Sequence, residues 1–237
     1  MPVSATVAPV VRSSRTALLA TAGAGMFGTA AFGAFIVPDG VNIGWVRGST
    51  AGSAYAQWDG FTSASGRNNP TATASAGGSF APDAPAWGLR DASGGSFVTG
   101  TGNLYNPFGP LQAEIAVPQF GLGAGAVTTV VLQVRTQGTE IDLSTVRIGD
   151  AAAVEVVELS RVALGGFGGY DVETLLRFEL VGNPSGYAIR FDAQGPHMSL
   201  DAVAVDTFTQ VVPGPGALAA FLAFGAVRSR GRRPTRA

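Results

Sequence analysis

Apolar and polar positions alternate along the second half of the chain. Leu176-Arg177-Phe178-Glu179-Leu180 and Tyr187-Ala188-Ile189-Arg190-Phe191-Asp192 place apolar residues on one side and mostly charged ones on the other. A period of two marks strands whose sheet has one dry face and one wet face. Val127 to Arg135 is a β-branched run, and Ile141-Asp142-Leu143 opens a further alternating segment. Val154-Glu155-Val156-Val157-Glu158-Leu159 breaks phase at its centre, which predicts a bulge or a strand buried on both faces. Gly182-Asn183-Pro184-Ser185-Gly186 predicts a turn between two of these strands.

The first half is looser. Val41 to Val46, Tyr55 to Phe61, Ser96 to Val98 and Leu111 to Val117 are short strand candidates, separated by turn-forming stretches such as Ser63 to Ser79. Short strands, Gly/Pro/Asn turns and hardly any helical periodicity predict an all-β protein. The expected architecture is a single β-sandwich of jelly-roll type over residues 34–211, with no internal repeat and no interdomain linker before Gln210.

The two ends follow other rules. Arg12 and Arg15 precede Thr16-Ala17-Leu18-Leu19-Ala20, and small or apolar residues continue to Ala34 without a charge. A basic start, a weakly apolar middle and a small-residue exit predict a secretory signal peptide over residues 1–33, cleaved after Gly33. Gly23-Ala24-Gly25-Met26-Phe27-Gly28 fits G-x-G-x-x-G inside that segment. No strand precedes it and Asp39 follows too soon, so it is not read as a nucleotide fingerprint.

At the other end, Val212-Pro213-Gly214-Pro215-Gly216 leads into an uncharged apolar stretch, residues 217–227, and then an arginine-rich end, residues 228–237. Pro213 and Pro215 bar a helix from passing through them, and a helix is free to begin after Pro215. Gly216 to Val227 gives roughly 18 Å of helix against a hydrocarbon core of about 30 Å, short for a permanent anchor. Arg228, Arg230, Arg232, Arg233 and Arg236 hold that flank on the cytoplasmic side.

In this order of parts the tail resembles a PEP-CTERM sorting signal, the C-terminal tag of exported bacterial proteins handled by a membrane-embedded exosortase. Val212, Pro213 and Pro215 match the family's Val-Pro-Glu-Pro-like motif, and Gly214 stands where the family usually has Glu. The resemblance implies passage through the general secretion machinery and transient membrane anchoring through residues 217–227. It then implies delivery to the cell surface or the extracellular space. Tyr55-Ala56-Gln57-Trp58-Asp59 and the segment from Met198 to Thr207 are also similar to cargo regions of such proteins from planctomycete-like bacteria. That likeness implies a β-sandwich whose last strand leads into the signal, and it implies no activity.

Charge supports the division. All sixteen carboxylates lie between Asp39 and Asp206 beside only eight arginines, so that interval carries −8 while the arginine-rich end carries +5. An acidic body argues against a nucleic-acid partner. The chain has no Lys and no Cys, which excludes Schiff-base and thiolate chemistry, disulfides and cysteine metal sites. His197 is the single histidine, too few for a histidine-built zinc site, and is read as a locally bonded turn residue.

Three chemistries are available to the body. Glu140 with Asp142, and Asp171 with Glu173, have the i, i+2 spacing that puts two carboxylates on one side of a strand, which is compatible with the separations of glycosidase acids, although alternating charges on strands usually form the solvated face. Asp91-Ala92-Ser93-Gly94 and Gly169-Tyr170-Asp171 could offer calcium oxygen ligands, although turn-forming Asp is the simpler role. Trp58, Trp87 and Tyr55, with Trp45, Phe61, Tyr105 and Phe108 nearby in sequence, suit stacking on sugar rings unless they fill the core.

The expected function is that of an exported, non-enzymatic surface or extracellular-matrix protein without cofactor. A carbohydrate-binding module associated with exopolysaccharide is the alternative, and a glycoside hydrolase-like enzyme is third.

Overall fold

The computed structural model describes Phe35 and residues 45–212 apart from Phe167. All of these belong to one compact unit, residues 34–237; a second unit, residues 1–33, lies outside the described residues. The signal-peptide segment, Pro213, Gly214 and Pro215, the apolar stretch and the arginine-rich end likewise lie outside them.

Thirteen strands and no helix occur among the described residues: β1 (Ser53–Trp58), β2 (Ala72–Ala76), β3 (Gly88–Asp91), β4 (Phe97–Val98), β5 (Leu104–Asn106), β6 (Gln112–Pro118), β7 (Gly123–Gly138), β8 (Arg147–Ile148), β9 (Ala151–Ala152), β10 (Glu155–Ala163), β11 (Tyr170–Asn183), β12 (Gly186–Asp192) and β13 (Met198–Val211). Sheet A runs β10-β11-β7-β13-β1-β2, with β5 beside β13 in line with β1 and β4 outside β5. Sheet B runs β3-β6-β12-β8-β9.

Eight of these strands pair from the outside in. The first, β1, pairs with the last, β13; β6 pairs with β12, β7 with β11, and β8 with β9, all antiparallel. This nesting, split over two sheets, is a jelly roll, and the protein is an all-β sandwich. The long runs from Val127 and Leu176 sit within β7 and β11, and the alternating Tyr187 segment is β12.

The period of two explains the core. Ala54, Ala56 and Trp58 of β1, Val130, Leu132 and Val134 of β7, Leu176 and Phe178 of β11, and Val203 and Val205 of β13 point inward from sheet A. They meet Leu89, Ile115, Ile189 and Phe191 from sheet B in one buried cluster. On the wet side of sheet B, Glu114 stands between Arg90 and Arg190, with N to O distances of 2.7 and 2.9 Å.

Some local readings need correction. Ile141 makes an isolated bridge to Ala193, and Asp142 starts a turn because its carboxylate accepts the amide and hydroxyl of Ser144. The segment from Val154 forms an edge strand with a register shift between Glu158 and Ser160 and is largely exposed, so the bulge is present and double-sided burial is not. The stretch Ser63 to Ser79 contains β2, whose Thr, Ala and Ser side chains are small and polar enough to read as a turn. Trp45 and Val46 lie outside any strand, at the start of a turn, and residues 41–44 lie outside the described residues.

Two buried polar knots hold the loops to the sandwich. Asn68, 1% exposed, accepts the amides of Thr62 and Ser63 on Oδ1, while its own carbonyl accepts the Trp58 indole N–H at 3.0 Å. Asn183 donates Nδ2 to Gln119 Oε1 and to the hydroxyls of Thr128 and Thr209, and accepts the Leu122 amide. That second knot ties the β6–β7 turn, the β11–β12 turn and the end of β13 together. It sits at the turn expected from Gly182 to Gly186.

Replacing Trp58 by alanine should destabilise the fold by about 3–5 kcal/mol, since a fully buried indole leaves a large cavity and the Asn68 carbonyl loses one of its two donors, keeping only the Leu89 amide. Urea unfolding measures this. Phe108→Ala, at a side chain 91% exposed, should shift stability by no more than about 0.5 kcal/mol.

Candidate functional site

Trp58, Trp87 and Tyr55, the candidates for stacking sugars if they did not fill the core, are buried. Trp58 is fully enclosed, and Trp87, 9% exposed, meets it edge-on at 6.3 Å between the sheets. Tyr55 is 7% exposed on the outer face of sheet A, and the Arg47 guanidinium covers its ring at 3.8 Å. None of the three offers a free face to a pyranose: the two tryptophans fill volume between the sheets of a sandwich rich in Gly, Ala and Ser, and the Tyr55 ring lies under Arg47 on the outer face.

Tyr55 is enclosed because a segment preceding β1 lies over part of that outer face. Trp45 stacks on Phe208 at 5.1 Å and packs against Val131 and Leu175. Phe35 packs against Tyr55, Ala202 and Ala204. Arg47 grips the fully buried Asp206 with Nε at 2.7 Å and Nη2 at 2.6 Å. Burial pushes the Tyr55 phenol up to about 12, with Arg47 opposing and Asp206 and Asp59 reinforcing the rise.

Beyond this cover the same face carries the acidic part of the site. Arg135 binds Asp171 with two hydrogen bonds of 3.0 and 2.8 Å, and reaches Asp201 at 3.3 Å. A register shift between Leu200 and Ala202 makes Asp201 the extra residue of β13 and turns it toward Arg135. Glu173 lies directly opposite Arg135 in the β11–β7 register, yet its Oε1 is buried without a hydrogen-bond partner. Desolvation raises the Glu173 pKa, Arg135 opposes the rise and Asp171 adds to it. Asp201 is also raised, chiefly by burial, with Arg135 opposing.

Of the two expected carboxylate pairs, Asp171 and Glu173 share one face of β11, as the spacing requires. Glu140 and Asp142 do not form a pair. Arg161 clamps Glu140 through two contacts of 2.7 Å and holds its pKa down, while Asp142 caps its turn. Asp91 gives its carboxylate to Ser93, Ser96 and Gln112. Burial raises its pKa, but these hydrogen bonds outweigh it and the net shift is downward. That is the pattern of a turn-forming Asp.

His197 does lie in a turn, but its partner is distant in sequence. Its Nδ1 meets the Tyr105 hydroxyl at 2.9 Å, and Tyr105 in turn meets Phe97 edge-on at 5.4 Å. Sequence reasoning named Tyr105 only as a neighbour of the tryptophans and passed over Phe97, because two-residue and three-residue strands carry too little alternation to reveal a face.

An open cavity of about 450 Å³ lies elsewhere, lined by the β8–β9 turn, Glu179 to Val181 and Gly186 to Ala188. Asp150 and Glu179 are its only acidic residues. Compared with family models, curated proteins and solved structures, the chain matches none.

The raised Glu173 pKa has a defined sign. The folded state favours the neutral acid, so the contribution of Glu173 to stability is complete below its unfolded pKa and is lost as pH rises through the folded value. Glu173→Gln should therefore unfold at higher urea than the parent at pH 7, with the difference vanishing below the carboxylate range.

Proposed function

We propose that this chain is an exported, non-enzymatic surface or matrix protein whose jelly-roll body is delivered by the PEP-CTERM-like tail. One observation carries the reading. β13, the strand that closes the sandwich against β1, runs to Val211, and Val212 gives its amide to Gly125 O at 2.9 Å. Val212 is also the first residue of the sorting motif, so the motif follows the closing strand with no spacer, and Pro213 cannot donate a further ladder bond.

The rest of the molecule is consistent with that role. Without cysteine, the body depends on packing and on buried hydrogen bonds, which need no redox machinery after export. Its acidic surface repels phosphate polymers. The +5 end belongs to the segment that stays on the cytoplasmic side until an exosortase acts.

The test is mass spectrometry of both termini after cell fractionation, in strains with and without the exosortase. The expected mature protein begins at Ala34 and, in the competent strain only, ends between Pro213 and Gly216. An intact C-terminus at Ala237 in both strains would overturn the reading.

A further inference from the structure

Beyond the strip covered by Trp45, Arg47 and Phe35, the outer face of sheet A carries a partly exposed row that crosses five strands. From β4 to β11 it reads Phe97, Tyr105, Ser199, Gln137, Asp171, each residue directly opposite the next. At the usual strand spacing the row is about 19 Å long.

Its chemistry is graded. At one end Phe97 is 48% exposed, and its ring meets Tyr105 edge-on. In the middle, Ser199 Oγ accepts a hydrogen bond from Asn103 at 3.0 Å and keeps its own proton to donate. The Gln137 amide has no hydrogen-bond partner among the described residues, and it is half-buried beside Ser199 and Asp171. At the far end Asp171 is braced by Arg135.

The aromatic end is held by a strained residue. His197 is the only non-glycine residue with positive φ, 71°, among the described residues. Its amide donates to Asn106 O at 2.8 Å and its carbonyl accepts Thr139 N at 3.3 Å. Gly138 has to be glycine for this to fit, since a Cβ there would stand 2.5 Å from the His197 carbonyl oxygen. The conformation brings the imidazole to the Tyr105 hydroxyl and fixes the phenol ring. Left-handed backbone at a non-glycine residue persists where surrounding structure imposes it, and such positions concentrate at binding sites.

The kind of ligand follows by exclusion. Four of the five strands, β5, β13, β7 and β11, are already paired on both sides, and the edge strand β4 has only two residues, so a peptide cannot add as a strand along the row. Asp59, Asp171, Glu173 and Asp201 against one Arg135 repel polyanions. A sugar ring supplies what remains, a C–H face for the aromatic end and hydroxyls for the polar one.

We propose that this row binds a neutral glycan chain, with Phe97 and Tyr105 against a pyranose face and Ser199, Gln137 and Asp171 on its hydroxyls. The inference does not depend on the sorting tail.

Calorimetric titration of the full chain tests it, using neutral hexasaccharides (β-1,4-glucan, β-1,3-glucan, mannan and xylan) and an oligouronate of the same length. At least one neutral hexamer should bind, and the oligouronate should bind at least tenfold more weakly. Phe97→Ala should weaken binding at least tenfold and Gln137→Ala three- to tenfold. Val181→Ser, at an exposed site outside the row, should leave it unchanged. Urea midpoints show that each variant is folded. Absence of binding to all four neutral hexamers, equal affinity for the oligouronate, or indifference to Phe97→Ala would overturn the proposal. Such a failure, beside a processed C-terminus, would leave the export reading standing.

Discussion

The sandwich depends on the pairing of its first strand with its last. Ser53 to Trp58 of β1 lie against Val203 to Phe208 of β13, and every other pair in the jelly roll nests inside that closure. β13 is also the partner of β7, so one strand carries inward Val203 and Val205, outward Ala202 and Ala204, and the buried Asp206 that holds Arg47. Loop closure across some 150 residues is entropically costly, and folding that waits on it is expected to be slow.

The same strand links the fold to both proposed roles. Near its start, the register shift at Asp201 changes which face each residue meets, so Leu200 and Val203 both point inward while Asp201 joins the carboxylates around Arg135. At its end, Thr209 enters the Asn183 knot and Val212 leads into the tail. On the two proposals, β13 carries the glycan face at one end and leads into the sorting signal at the other.

Much of this was legible in the sequence, and the gaps have physical causes. The long alternating strands announced themselves because half-buried sheets impose a period of two over many residues, as Leu176 to Leu180 and Tyr187 to Asp192 show. β2, β3 and β5 escaped because they have three to five residues, and backbone pairing places them more than side-chain pattern. For the tryptophans the sequence left both a stacking and a core-filling reading open, since composition cannot tell a stacking ring from a filling one, and their burial decides for the core. The row from Phe97 to Asp171 draws on residues 97, 105, 199, 137 and 171 of five strands, and only the pairing register brings them together.

On the proposed reading the body is complete once β13 is paired, and the tail after Val212 is an address rather than part of the fold. Urea unfolding of the chain ending at Ala237, compared with one ending at Val212, tests this most directly. The two stabilities should agree to within about 0.5 kcal/mol. A loss of several kcal/mol on removing residues 213–237 would show instead that the tail packs into the domain.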